Sequence, residues 1–103
     1  NPNPGQGFYA ASKLASEALY RSVGLELGKR GITTVILRPG YVYAGRGKAY
    51  LEREGKQVCR KIPTGKALEG EEVTQTILFL LSHHARNMNA TVVTMDGGLS
   101  SGK

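Results

Sequence analysis

Residues 8–40, FYAASKLASEALYRSVGLELGKRGITTVILRPG, read as a long helix, a glycine stop and a strand. Ala, Leu, Ser, Glu and Lys dominate from Phe8 to Arg30, and Lys29-Arg30-Gly31 supplies a basic last turn followed by a helix-ending glycine. Leu14, Ala18, Leu19, Val23 and Leu27 fall near helical period and predict an inward apolar stripe, while Ala10, Ala11, Ala15, Ser16 and Ser22 leave other faces small. Gly24 and Gly28 each cost about 1 kcal/mol in helix propensity, so packing must hold this helix. Thr33 to Leu37 is β-branched and apolar, the pattern of a strand covered on both faces, and Arg38-Pro39-Gly40 ends it.

Working outward, Tyr41 to Gly70 is richer in Gly, Lys, Arg and Tyr, which predicts a lid with at most a short helix around Lys48 to Arg60. A second helix is expected from about Glu71 to His83, with Glu71 and Glu72 in its first turn and Val73, Ile77, Leu80 and Leu81 inward. Ala90 to Met95 reads as another buried strand. Helix, strand, lid, helix, strand is half of a parallel α/β sheet, and two strands alone cannot bury both sheet faces. Further strands or a partner are therefore expected.

The chain has 103 residues and opens Asn1-Pro2-Asn3-Pro4 without an initiator methionine, the expectation being a piece of something longer. No apolar run approaches the ~18 residues that span a bilayer. The net charge of +6 comes from fourteen basic residues spread along the chain without a run, a pattern of solvated surface rather than of nucleic-acid or membrane binding. Cys59 is the single cysteine, so no internal disulfide forms, and a reducing, cytoplasmic setting is expected. Neighbouring His83 and His84 cannot both face one metal from a helix, and no metal site is expected.

Tyr9 and Lys13 stand four residues apart, on one helix face with a rise of about 6 Å between them. A cation beside a phenol favours the phenolate, as does the positive end of the helix dipole, and such tuning makes a general acid or base. With five tyrosines and seven lysines in the chain, the spacing alone also fits a plain surface pair. Gly5-Gln6-Gly7-Phe8-Tyr9-Ala10 matches G-x-G-x-x-A in form, but no strand precedes it, so a loop is the better reading. Gly45-Arg46-Gly47-Lys48 reads as a lid hinge, and Asp96-Gly97-Gly98 turns the chain at a strand's carboxyl end, the sheet edge where ligands bind in open α/β folds.

Taken together, Tyr9-Ala10-Ala11-Ser12-Lys13, Pro39-Gly40 after a strand, a lid, and Asp96-Gly97-Gly98 resemble the C-terminal half of the short-chain dehydrogenase/reductases, in that order and spacing. The resemblance covers nearly the whole chain. It implies a Rossmann-type doubly wound parallel sheet of which residues 1–103 form the catalytic and lid part, incomplete alone, with the cofactor-binding half and a catalytic serine upstream of Asn1. It implies Tyr9 as general acid/base, Lys13 as the residue that lowers the tyrosine's pKa and holds the ribose of NAD or NADP, and Pro39, Gly40 and Val42 on the nicotinamide side of the pocket. It further implies a carbonyl or secondary-alcohol substrate touched from the lid by Tyr41, Tyr43, Tyr50 and Leu51, and assembly as a homodimer or homotetramer. Ala44 stands where many members carry a threonine that contacts the nicotinamide amide. Residues 12–17 and 37–43 resemble the extended branch of epimerases and dehydratases, whereas the short span to Asp96-Gly97-Gly98 resembles the compact, ketone-reducing branch that includes the 3-oxoacyl-carrier-protein reductases. A non-catalytic assembly module is the alternative of a different kind.

Overall fold

The computed structural model describes residues 7–101. The chain divides into two compact units, residues 1–36 with 86–92, and residues 37–85 with 93–103. Asn1 to Gln6, including the first part of the glycine-rich opening, lie outside the described residues.

In the first unit, α1 runs Gly7–Leu27 and passes into a 3-10 turn, Gly28–Arg30, closed by Gly31 at φ 82°. The Gly31 N–H donates to the Gly28 carbonyl at 3.0 Å, the glycine-mediated stop that Lys29-Arg30-Gly31 predicts. Gly24 is the one buried residue of α1, and the reason is close approach: a Cβ there would lie 2.5 Å from both Asn89 Oδ1 and Thr34 Oγ1. Asn89 clamps the helix to the chain that follows it. Its amide nitrogen donates to the Gly24 carbonyl at 2.9 Å, and its oxygen accepts from the Thr34 N–H at 3.0 Å. Thr34 Oγ1 donates in turn to the Tyr20 carbonyl at 2.7 Å, and the Ala90 N–H donates to the Thr34 carbonyl at 2.8 Å. The helix glycine is thus held by packing and a polar clamp, as its propensity cost requires. The expected apolar stripe is not inward throughout. Val23 and Leu27 are half-buried, but Leu14 and Leu19 are 65% and 62% exposed, because nothing in this unit covers the helix's N-terminal half.

β1 spans Val35–Pro39, two residues later than the β-branched run suggests, since Thr34 spends its N–H and hydroxyl on Asn89 and Tyr20 instead of a ladder. Val35 to Leu37 are half-buried and Arg38 and Pro39 exposed, so this strand is not covered on both faces. It pairs with β4, Thr91–Met95, which matches the expected strand to within one residue.

The second unit carries the core. Where the sequence predicts a loop with at most a short helix, α2 runs sixteen residues, Arg46–Lys61. Leu51, Val58 and Ile62, spaced seven and four residues apart, fall on one face; all three are buried, and Tyr43 and Ala67 pack against them. Two short strands, β2 (Val42–Tyr43) and β3 (Leu68–Glu69), pair in parallel with Val42 opposite Leu68. α3 follows at Gly70–Leu80, ending three residues earlier than expected, behind a capping box in which Glu69 and Glu72 satisfy each other's backbone N–H groups. Val73 and Leu80 are half-buried, whereas Ile77 and Leu81, expected inward, are 43% and 78% exposed: the 3.6-residue period groups them on a face that this unit leaves uncovered. His83–Ala85 form a 3-10 turn. Among the described residues no helix is long and apolar enough to cross a membrane.

Candidate active site

The first unit holds the Tyr-x-x-x-Lys pair. α1 begins at Gly7, which puts Tyr9 in its first turn and Lys13 one turn later on the same face. The Lys13 ammonium lies 5.6 Å from the centroid of the Tyr9 ring, inside the range of a cation–π contact. The Tyr9 side chain is 62% exposed, so its hydroxyl is open to a reacting molecule. Ser12 Oγ donates to the Tyr9 carbonyl at 3.0 Å and satisfies a backbone acceptor of this turn. No acidic side chain stands in the first turn of α1. Chemically, this is an accessible O–H with an ammonium beside its ring.

The second unit holds the residues after β1. Gly40 donates its N–H to the Met95 carbonyl at 2.8 Å, and a Cβ at Gly40 would lie 2.8 Å from that of Asp96, so only glycine fits. Pro39 before it is exposed. Val42 is half-buried in β2, and the Tyr41 carbonyl accepts from the Leu68 N–H at 2.8 Å. These contacts pin the backbone from Gly40 to Val42.

A cavity of about 610 Å³ opens beside this backbone, within the size range of small-molecule sites. Tyr41, Tyr43, Thr64, Lys66, Glu72 and Asp96 line it, with apolar walls from Ile62 and Leu68. Thr64, Lys66 and Glu72 carry no motif that marks them in the sequence. Asp96 anchors the turn at one end: Oδ1 accepts from the Gly98 N–H at 3.0 Å, and Oδ2 accepts from the Ser100 N–H at 3.0 Å and the Ser100 hydroxyl at 2.5 Å. The Ser100 hydroxyl first, then the two backbone donors, hold the Asp96 carboxyl below the usual carboxylate range. Gly97 and Gly98 take φ of 67° and 95°, and the Gly97 carbonyl accepts from the Thr64 N–H at 3.1 Å.

The four expected lid contacts separate. Tyr41 and Tyr43 line the cavity. Tyr50 lies outside its wall but stacks on Tyr41, ring centroids 6.1 Å apart and planes 16° from parallel. Leu51 differs from the other three: at 1% exposure it is the most buried large side chain among the described residues and belongs to the core cluster. Tyr43 also braces that core, its hydroxyl donating to the Leu51 carbonyl at 3.3 Å.

Comparison with known proteins bears on both units. A sequence profile of the family described as enoyl-(acyl carrier protein) reductase matches residues 1–100. The 3-oxoacyl-(acyl-carrier-protein) reductase FabG of Rickettsia typhi is 31% identical over 97 residues, 94% of this chain and 40% of its own length. The enzyme of the same name from Thermotoga maritima is 34% identical over 97 residues, 94% of this chain and 39% of its own. Among solved structures, an oxidoreductase of the short-chain dehydrogenase/reductase family from Burkholderia thailandensis superposes with a TM-score of 0.85 at 25% identity, over 99% of this chain and 41% of its own. The chain thus spans about two-fifths of the length of the curated relatives it matches.

Proposed function

Because this chain belongs to the short-chain dehydrogenase/reductases, we propose that it is the catalytic and lid part of an NAD(P)-dependent oxidoreductase acting on a carbonyl or secondary alcohol, with Tyr9 as general acid/base. The 3-oxoacyl reductases among its relatives favour a ketone next to an acyl thioester as the substrate class. The observation that carries this reading is the exposed Tyr9 with the Lys13 ammonium 5.6 Å from its ring centroid. In the reductive direction the Tyr9 hydroxyl gives its proton to the carbonyl oxygen as negative charge builds there; in oxidation the ring oxygen takes the proton back. Lys13 stabilises the ring oxygen while it is negative.

Nicotinamide, when bound, supplies the hydride. The residues proposed to hold it fit: the Lys13 ammonium has no carboxylate partner among the described residues and faces the same side as Tyr9, leaving donors for ribose hydroxyls. Pro39, Gly40 and Val42 are proposed for the nicotinamide side, where the pinned backbone costs no reordering on binding. Tyr41 and Tyr43 are proposed to meet substrate at the cavity. Residues 1–103 are then one part of a single Rossmann-type domain, which the two-fifths coverage of the relatives supports.

Lys13→Ala and Lys13→Arg in the intact protein test the pair. Alanine is expected to weaken cofactor binding and slow single-turnover hydride transfer by about tenfold or more, because the ring oxygen loses its neighbouring cation; arginine retains part of both. An unchanged single-turnover rate and cofactor affinity in Lys13→Ala would overturn the assignment of Lys13.

A second reading, assembly through α1 as a homodimer or homotetramer, is favoured by the exposure of Leu14, Leu19 and Leu25. Leu19→Glu then shifts the intact protein to a smaller species in light scattering; an unchanged mass means that this face is covered within one chain.

A further inference from the structure

Two tyrosines line the cavity of the second unit, and they are held by different means. Tyr43 is fixed by the core: it packs against the Leu51, Val58 and Ile62 cluster, and its hydroxyl donates to the Leu51 carbonyl at 3.3 Å. Tyr41 has no such support. Its backbone is pinned where its carbonyl accepts from the Leu68 N–H, but its side chain is 36% exposed, and its hydroxyl has no hydrogen-bond partner among the described residues. What holds the ring is Tyr50, stacked on it with centroids 6.1 Å apart and planes 16° from parallel, within the range of favourable aromatic pairs. Tyr50 is itself 39% exposed and outside the core cluster, and among the described residues its hydroxyl bonds to nothing and its ring meets one other ring, that of Tyr41. Its backbone is well anchored, because the next residue on α2 is the buried Leu51.

We infer that Tyr50 is a positioning residue for substrate: acting through Tyr41, it sets one aromatic wall of the cavity before substrate arrives. The inference rests on the reading that this cavity takes the substrate, a 3-oxoacyl thioester. A wall already in place needs no ordering on binding, whereas a ring free to rotate has to be fixed at that moment, which weakens binding. Tyr50 stands outside the cavity wall, so its loss falls on substrate binding and leaves proton and hydride transfer at saturation as they were.

The test is a mutant cycle in the intact protein, with acetoacetyl-N-acetylcysteamine, a small 3-oxoacyl thioester, and whichever of NADH and NADPH reduces it faster. Tyr50→Leu is expected to raise KM about threefold to tenfold, the scale of one aromatic pair, with the single-turnover rate at saturation within about twofold of wild type. Tyr50→Phe keeps the stack and is expected to rescue KM to within about twofold of wild type. Tyr41→Leu raises KM at least as much as Tyr50→Leu does. Adding Tyr50→Leu to it raises KM no further, because Tyr50 then has no ring to hold. Additive losses in the double variant, or an unchanged KM in Tyr50→Leu beside a raised KM in Tyr41→Leu, overturn the inference and leave the cavity as the substrate site. An unchanged KM in Tyr41→Leu, or no turnover of the thioester by wild type, overturns the substrate reading of the cavity and this inference with it.

Discussion

Helices α1 and α2 are built on opposite principles. α1 has twenty-one residues, of which only Gly24 is buried, and it exposes Phe8, Leu14, Leu19 and Leu25 while holding its place through the Asn89–Thr34 clamp. α2 has sixteen, buries Leu51 and Val58 against Ile62 and Tyr43, and presents charge outward. α2 is therefore held by its own unit's core. α1 is tied by one polar clamp and leaves its N-terminal end, with Tyr9 and Lys13, in the open. Stability and the proposed chemistry sit on different helices.

The strongest way to break this contrast is to attack the core. Leu51→Ala is expected to lower unfolding free energy by about 2–5 kcal/mol in chemical denaturation, the range for deleting a buried leucine. A loss under about 1 kcal/mol would mean that α2 is not core-held.

The clamp comes next. Gly24→Ala gains about 1 kcal/mol in helix propensity, but its methyl group meets Asn89 and Thr34 at 2.5 Å, and overpacking costs about 1–3 kcal/mol. A net loss of up to about 2 kcal/mol is expected. Asn89→Ala removes two hydrogen bonds and should cost a similar amount. If Gly24→Ala stabilises the protein, the helix is not seated as tightly as the distances require.

The smallest effect concerns the Asp96 turn. Its carboxyl is held below the usual range, so the stability it contributes is present above the unfolded carboxylate value of about 4 and is lost as pH falls through the lower folded value. Ser100→Ala removes the leading cause and lowers the melting temperature slightly at neutral pH. The gap between the two proteins then narrows below about pH 4. A gap that stays constant down to pH 2–3 would show that Ser100 acts through something other than this carboxylate.

Much of this was legible in the residues. α1, its stop at Gly31 and β4 follow from periodicity and glycine chemistry that act locally. The Tyr9–Lys13 contact follows from spacing alone, because i and i+4 meet on any helix. α2 was legible only as a short helix around Lys48 to Arg60: Leu51, Val58 and Ile62 have helical spacing, masked by surrounding Gly, Lys and Arg. β2 and β3 were not readable, since two-residue strands are too short to show alternation and exist only by pairing with each other. The outward Ile77 and Leu81 show a different limit. Periodicity says which residues share a face, and only packing decides whether anything covers it.

The central claim is that Tyr9 moves the proton, and the rate of a single turnover measures it most directly. In the intact protein, with cofactor and substrate saturating, Tyr9→Phe is expected to slow hydride transfer by about 10²-fold or more, with cofactor affinity and melting temperature unchanged to within error. A rate within threefold of wild type would contradict the account.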